Sequence, residues 1–400
     1  MKPKSDRVYR LVVIAGCGLI GTCLGLGVNV AGLFFSPIAT EFGVGRGSVA
    51  ATLTVYNLVV AFTGMAAAGF VNRFGLKNTV LGGTIIQATA TFLLSLSPNV
   101  TVLLLLNGVR GFAAGLIGTV LVTVMINNWF NKNNALMISI AMGFSGLAGA
   151  ILSPLLSRLI TDYGWRTGYA VVAALGVVFN LPAILFPITI KPENKNLEPY
   201  GGIPETDETE RNTAQAKTVS VVPLIILMIF TACSASATAL PQHFSGIAES
   251  YGMLSTGALM VSACMIANTA GKILLGAMID RFGARASVSI FAIIIACSAG
   301  MLVISRSPAV LIASAAMFGL CYSLATVATA ALTRVVFGSE NYSRVYPKLA
   351  LTTTISNALF TSVVGFLYDF SGSYSSVILF LGGMVVAAFI MVHLVFVKKA

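Results

Sequence analysis

Three cations lie within the apolar runs of this chain, where no acid sits at mid-run depth, and that asymmetry is its first chemical signal. Lys272 sits in ANTAGKILLGAMIDRFG, eight residues before Asp280. That places it about 12 Å from the polar end of a helix, too deep for comfortable snorkelling. Arg110 lies midway along NGVRGFAAGLIG, and Lys348 follows the polar stretch at Glu340 by a few residues. All 13 acids fall in loops, tails or the ends of apolar runs. An ionisable group inside a bilayer is expensive, so each interior one is a functional candidate. A cavity with fixed cations and no fixed anion suits an anionic ligand, because an organic cation would find no counter-charge. The same pattern argues against a proton coupler built on a buried carboxylate.

Each candidate has a plainer reading. Lys272 could be satisfied by backbone and helix contacts alone. Arg110 could hold neighbouring helices or serve gating rather than touch substrate. Lys348 could reach back to the interface along its alkyl stem. His243, after Pro241 and Gln242, could sense protons near neutrality, or be an interfacial histidine at a proline-broken helix end. Tyr56, Asn57 and Gln87 could line a pathway or join helices through hydrogen bonds. The run Thr352-Thr353-Thr354, with Ser356 and Asn357, could also line it. Gly143, Gly146 and Gly149 precede Pro154 at three-residue spacing and read as a close-packing helix surface.

The elements that must carry these residues are membrane spans. Of 400 residues, 57% are hydrophobic and 9% charged, with a mean hydropathy of +0.91. Soluble domains carry about 25% charged residues. A span needs roughly 20 apolar residues. Twelve are expected, at 11–35, 48–71, 78–97, 101–127, 134–160, 167–190, 219–247, 254–279, 286–305, 308–336, 344–368 and 374–397. The first run is too long for a signal h-region and has no small-residue exit, so it reads as a retained span. The polar stretch from Lys191 to Lys217 reads as a solvated linker.

With the N-terminus inside, 17 Lys and Arg fall on the cytoplasmic side, four outside, and three within spans. This bias places both termini in the cytoplasm of a multi-pass protein of the cell membrane. The net charge of +11 is thus spread over short loops and does not form a nucleic-acid patch. The six cysteines sit in apolar runs without C-x-x-C or metal-ligand spacing, and read as small buried hydrophobes. No phosphate loop, triad or metal motif appears. On that reading the chain is not expected to be an enzyme, an ATP-driven pump would need a partner subunit, and no cofactor is expected.

NRFGLK at 72–77 and DRFGAR at 280–285 each follow the second span of a half, 208 residues apart. An all-α membrane fold of two six-helix halves is expected: 1–190 and 219–400, joined by a linker at 191–218. At these loops the chain resembles the major facilitator superfamily, whose signature is roughly G-x-x-x-D-R-x-G-x-[RK]. GAMIDRFGAR matches it, and AGFVNRFGLK carries Asn72 in place of the usual Asp. The resemblance implies a cytoplasmic latch using Asn72, Arg73, Lys77, Asp280, Arg281, Arg285 and Lys348, weakened by Asn72. NNWFNKNNALMISIAMGFSGLAGAILSPLLSRLITDYGWR resembles the monocarboxylate transporter branch, which includes the oxalate:formate antiporter. GLFFSPIATEFGVGRGSVA and FLYDFSGSYSSV are similar to the same branch. That branch implies a substrate-binding basic residue at Lys272, usually Arg, with an Asp one turn earlier where this chain has Asn268.

The expectation is a secondary active transporter of a small organic anion, a mono- or dicarboxylate, working by alternating access. Substrate would meet Lys272, Arg110, Asn268, Tyr56, Asn57, His243, Thr353 and Asn357. A coupling proton or counter-anion and the lipid bilayer are the other partners, and the chain is expected to act as a monomer. One rival is a drug or metabolite exporter, which would want a roomy apolar cavity and often an intramembrane acid. Another is an anion sensor that does not transport, for which an appended signalling domain is missing.

Overall fold

In an apolar medium every backbone amide and carbonyl must be satisfied within the chain, and a helix does this locally. The computed structural model describes residues 3–132, 134–201 and 220–397, and these form helices joined by short turns, with one isolated bridge between Phe130 and Tyr200.

The first span is α1 (Pro3–Ile20), a π-helical stretch (Gly21–Asn29) and α2 (Gly32–Phe42). It is followed by α3 (Arg46–Phe74) and α4 (Leu76–Leu94). The fourth span is α5 (Val100–Ile117) and α6 (Thr119–Trp129), broken at Gly118. The fifth and sixth make up α7 (Asn134–Leu185), which folds back at Gly164.

Then come α8 (Val221–Ala237), a 3₁₀ turn (Leu240–His243) and α9 (Phe244–Glu249), which together form one span. Next are α10 (Leu254–Phe282) and α11 (Ala284–Ile304). The tenth span runs through α12 (Pro308–Phe318), α13 (Cys321–Ser323), a π-helical stretch (Leu324–Ala328) and the start of α14 (Thr329–Ser371). Gly338 divides α14, whose second part is the eleventh span, and α15 (Tyr374–Val397) is the twelfth.

Local chemistry sets the boundaries. Asn99 caps α5 by accepting from the Val102 amide at 3.0 Å, which satisfies one orphan donor of the first turn. Gly75 and Gly283 adopt φ +79° with ψ 160° and 158°, a conformation that favours glycine. They lie 208 residues apart, as do Gly164 and Gly372, both also at positive φ. The repeat is therefore written into the backbone as well as the loop strings. Large apolar side chains such as Phe62, Met65, Ile273 and Phe370 face outward, as suits a lipid-facing surface.

The chain forms two compact units: residues 1–43 with 51–206, and 44–50 with 207–400. The first turn of α3 thus groups with the second unit. Most of the expected linker, residues 202–219, lies outside the described residues. Its start, at 191–201, folds back so that the Tyr200 amide donates to the Trp129 carbonyl at 2.8 Å.

Candidate functional site

In the first unit, Arg110 is 3% exposed. Its fork donates to Asn107 Oδ1 (3.2 Å), the Leu26 carbonyl (3.0 Å) and the Gly27 carbonyl (3.3 Å). Both carbonyls belong to the π-helical stretch. A π-helix departs from the regular i→i+4 ladder and recurs at functional sites. Here its carbonyls serve as ligands for a cation. The guanidinium lies 5.0 Å from the Tyr56 ring centroid, and the Tyr56 hydroxyl donates to the Cys23 carbonyl at 2.8 Å. Gly111 permits this packing, since a Cβ there would meet the Tyr56 backbone.

A buried polar chain continues from this point. The Cys23 thiol faces Gln87 Oε1 at 3.9 Å, Thr22 Oγ1 donates to Asn180 Oδ1 at 2.9 Å, and Asn180 Nδ2 donates to Thr84 Oγ1 at 3.0 Å. Asn180 was missed in the sequence; a lone Asn in the apolar run before Pro182 was its signal. Asn29 Nδ2 donates to the Ser145 carbonyl at 2.9 Å, and Gly25 sits against Ala148, within the small-residue stretch of α7.

In the second unit, Lys272 is half-buried on α10, without a hydrogen-bond or ion-pair partner among the described residues. It follows Gly271, where a Cβ would meet Leu320 and Ser323 of the broken tenth span. Gly319 lies against the Cys264 carbonyl on the same face of contact. Lys272 therefore follows directly on a point of close contact between α10 and the break. Asn268, one turn earlier and 5% exposed, keeps Oδ1 unpaired. Ser323 Oγ on α13, with Thr231 Oγ1 and Ser234 Oγ on α8, are also buried without partners. Buried polar atoms are nearly always hydrogen-bonded, so such orphans mark places for a ligand or water. Shifting Gly118 by 208 gives residue 326, inside the π-helical stretch of the tenth span. Both units therefore break the same span at the same place. Interrupted helices at matching positions are a pointer to binding sites in transporters.

The other expected residues are more dispersed. Thr352, Thr353 and Thr354 each donate to the carbonyl four residues back, which spends their hydroxyl protons on their own helix. Asn357 donates to Thr238 Oγ1 at 2.5 Å. Asn57 Nδ2 is buried and unpaired. His243 corrects the interfacial reading. It is 2% exposed, with Nε2 3.4 Å from the Thr361 carbonyl and its ring 6.4 Å from that of Tyr374. The 3₁₀ turn at Leu240–His243 turns it inward, and a proline in sequence does not reveal that direction.

Among the latch residues, Arg73 and Arg281 stack on Phe74 and Phe282, each at 5.4 Å. Arg285 lies 6.0 Å from the Phe396 ring. Asn72, Lys77 and Asp280 have no hydrogen-bond or ion-pair partner among the described residues, and Lys348 is exposed.

Two charged clusters escaped the sequence reading, which used their arginines only for topology. Arg166 pairs with Glu41 at 2.7 Å and donates to the Ser95 and Ser97 carbonyls, and Trp165 Nε1 donates to the same carboxylate at 2.5 Å. In the second unit Arg46 pairs with Glu249 at 2.8 Å and donates to the Tyr374 hydroxyl at 2.6 Å. The Asp369 carboxylate accepts from the Arg46 and Gly47 amides at 3.0 and 2.8 Å. Glu41 and Glu249 are 208 residues apart, the repeat spacing, and that was the available signal.

Fold and sites together define a polytopic membrane transporter. The family model for the Major Facilitator Superfamily matches residues 17–254 and 224–400, and the chain belongs to that superfamily. A rat protein described as monocarboxylate transporter 4 is 25% identical over 202 residues, 49% of this chain and 42% of that protein. A Mycobacterium tuberculosis multidrug resistance protein B homolog is 26% identical over 187 residues, 46% of this chain and 34% of that protein. The matches thus span less than half the length of these curated relatives. Among solved structures, the nucleoside transporter NupG superposes with a TM-score of 0.71 at 14% identity, covering 99% of both chains. A bacterial homolog of the human lysosomal transporter Spinster gives 0.69 at 14% identity, covering 100% of this chain and 98% of the other. At such identities these two speak for the fold alone.

Proposed function

We propose that this protein is a secondary transporter of a small organic anion, a mono- or dicarboxylate, and that Lys272 receives the carboxylate. The observation that carries the reading is the unpartnered, half-buried ammonium next to the orphaned Asn268 Oδ1, on helices with no acid at that depth. An arriving carboxylate supplies the missing counter-charge, and Asn268 can turn its amide to a second oxygen. The likeness to monocarboxylate transporters supports the same class. Arg110 has a different part: its hydrogen bonds to Asn107 and to the Leu26 and Gly27 carbonyls hold α5 to the first span. The latch residues, the cytoplasmic termini, the two-half organisation with its linker, and action as a monomer belong to the same proposal.

The test is uptake of a panel of labelled carboxylates into proteoliposomes. Lys272→Gln should weaken binding by roughly 30- to 150-fold, the equivalent of about 2–3 kcal/mol for a charge-assisted hydrogen bond. Lys272→Arg should keep a substantial part of the function. A folded Gln variant, checked by thermal melt, that binds as tightly as wild type would remove Lys272 from the site. A second reading, export of drug-like molecules, is favoured by the likeness to the multidrug resistance homolog. Efflux of lipophilic dyes unaffected by Lys272→Gln would select it.

A further inference from the structure

Beside Arg110 in the first unit lies a cavity of about 10 Å³, lined by Thr22, Thr84, Gln87, Thr91, Arg110 and Asn180 among others. It is separate from Lys272, which belongs to the other unit. Its walls carry a surplus of donors. Arg110 Nε is buried without an acceptor. The Gln87 carbonyl oxygen faces the Cys23 thiol at 3.9 Å, and the amide N–H bonds have no acceptor among the described residues. Thr84 Oγ1 accepts from Asn180, and its own proton has no acceptor there. Thr91 donates to the Gln87 backbone, and Thr22 has three acceptors within 3.3 Å. No acid is among the described residues that line the cavity.

Guanidinium does not lose its proton in proteins. Two carbonyl dipoles and one amide oxygen occupy part of the fork, but none carries a formal negative charge. Buried charges are ordinarily paired, and an unpaired one costs several kcal/mol. The cavity has room for about one water-sized body. A carboxylate, with three heavy atoms, does not fit. A water would bring two protons into a site already rich in donors, and would leave the charge uncompensated. A monatomic anion is acceptor-only and negative, and chloride, though slightly larger than a water, is much smaller than a carboxylate.

We infer that this cavity is a structural halide site, occupied by chloride under physiological conditions, with Arg110, Gln87 and Thr84 as its donors. The inference does not rest on the carboxylate reading, because a Lys272→Gln variant should bind the halide unchanged.

The experiment uses the purified full-length protein at constant ionic strength, with gluconate replaced stepwise by chloride or bromide. The melting temperature should rise saturably with either halide. A structure determined from bromide-grown crystals should show an anomalous peak within hydrogen-bond reach of Arg110 and Gln87. Gln87→Leu, which fills the same volume without donors, should weaken the halide dependence of the melt by about tenfold or more. This variant keeps the test open if Arg110→Gln does not fold. A melt identical in gluconate and chloride, with a water in the cavity at saturating bromide, would overturn the inference. So would a halide-sensitive melt with no bromide peak at this place.

Discussion

Arg110 and Glu41 show what a single residue can reveal of its own surroundings. Arg110 was legible as a buried cation because nothing else in its run is polar enough to draw it out. Its acceptors were not legible, since two of them are main-chain carbonyls exposed by a π-helical stretch whose sequence, GTCLGLGVN, reads as ordinary apolar helix. Lys272 was the easier case, because the signal there is the absence of a partner, and absence of acids can be counted in a sequence.

Glu41 was overlooked as a terminal charge, and its environment makes a pH prediction. The hydrogen bond from Arg166 holds its carboxyl below the usual carboxylate range. A depressed folded pKa means the stabilisation is complete above the unfolded value of about 4.3 and is lost as pH falls through the folded value. Both side chains are about 40% exposed, at 39% and 44%, so the effect is small. Glu41→Gln should lower the melting temperature near neutral pH and make no difference well below pH 4. An equal difference at pH 7 and pH 3 would contradict the assignment.

At the scale of elements, hydropathy located the spans, but the first, expected at 11–35, runs from Pro3 to Phe42, and the sixth, expected to reach 190, ends at Leu185. What it could not find were the interruptions inside spans, at Gly21–Asn29, Gly118, Leu240–His243 and Leu324–Ala328. These change hydrogen bonding without changing composition. Glycine is the residue through which they can be tested, because its value differs from place to place. At Gly319 a Cβ would be driven into the Cys264 carbonyl, while at Gly300 on α11 it would meet nothing within 4 Å. Gly319→Ala should therefore cost about 1–3 kcal/mol or abolish folded protein. Gly300→Ala should be neutral or slightly stabilising through helix propensity. Comparison of the two melts decides whether α10 and the tenth span are in backbone contact.

For the whole molecule, the repeat of 208 residues was visible in two loop strings, and the structure extends it to backbone angles and to charge. The two halves nevertheless solve the same problem with different chain. Glu41 finds its cation at Arg166, within its own unit. Moving both by 208 gives Glu249 and Tyr374, so the second copy keeps the acid and has a phenol where the first has the base. The missing charge is Arg46, borrowed from the opening turn of α3, where the Arg46 and Gly47 amides also donate to the Asp369 carboxylate.

These contacts predict that the second repeat does not fold fully when detached from Arg46 and Gly47. A fragment beginning at Asp207 would carry two carboxylates, Glu249 and Asp369, whose only counter-groups described here are encoded 160 or more residues upstream. Such a fragment should give less folded protein alone than when co-expressed with residues 1–206, and Arg46→Ala in the co-expressed piece should forfeit much of that gain. Equal rescue by the Arg46→Ala piece would show the debt to be imaginary. Seven residues, 44–50, which lead into the first turn of α3, are encoded with the earlier half and belong by contact to the later one.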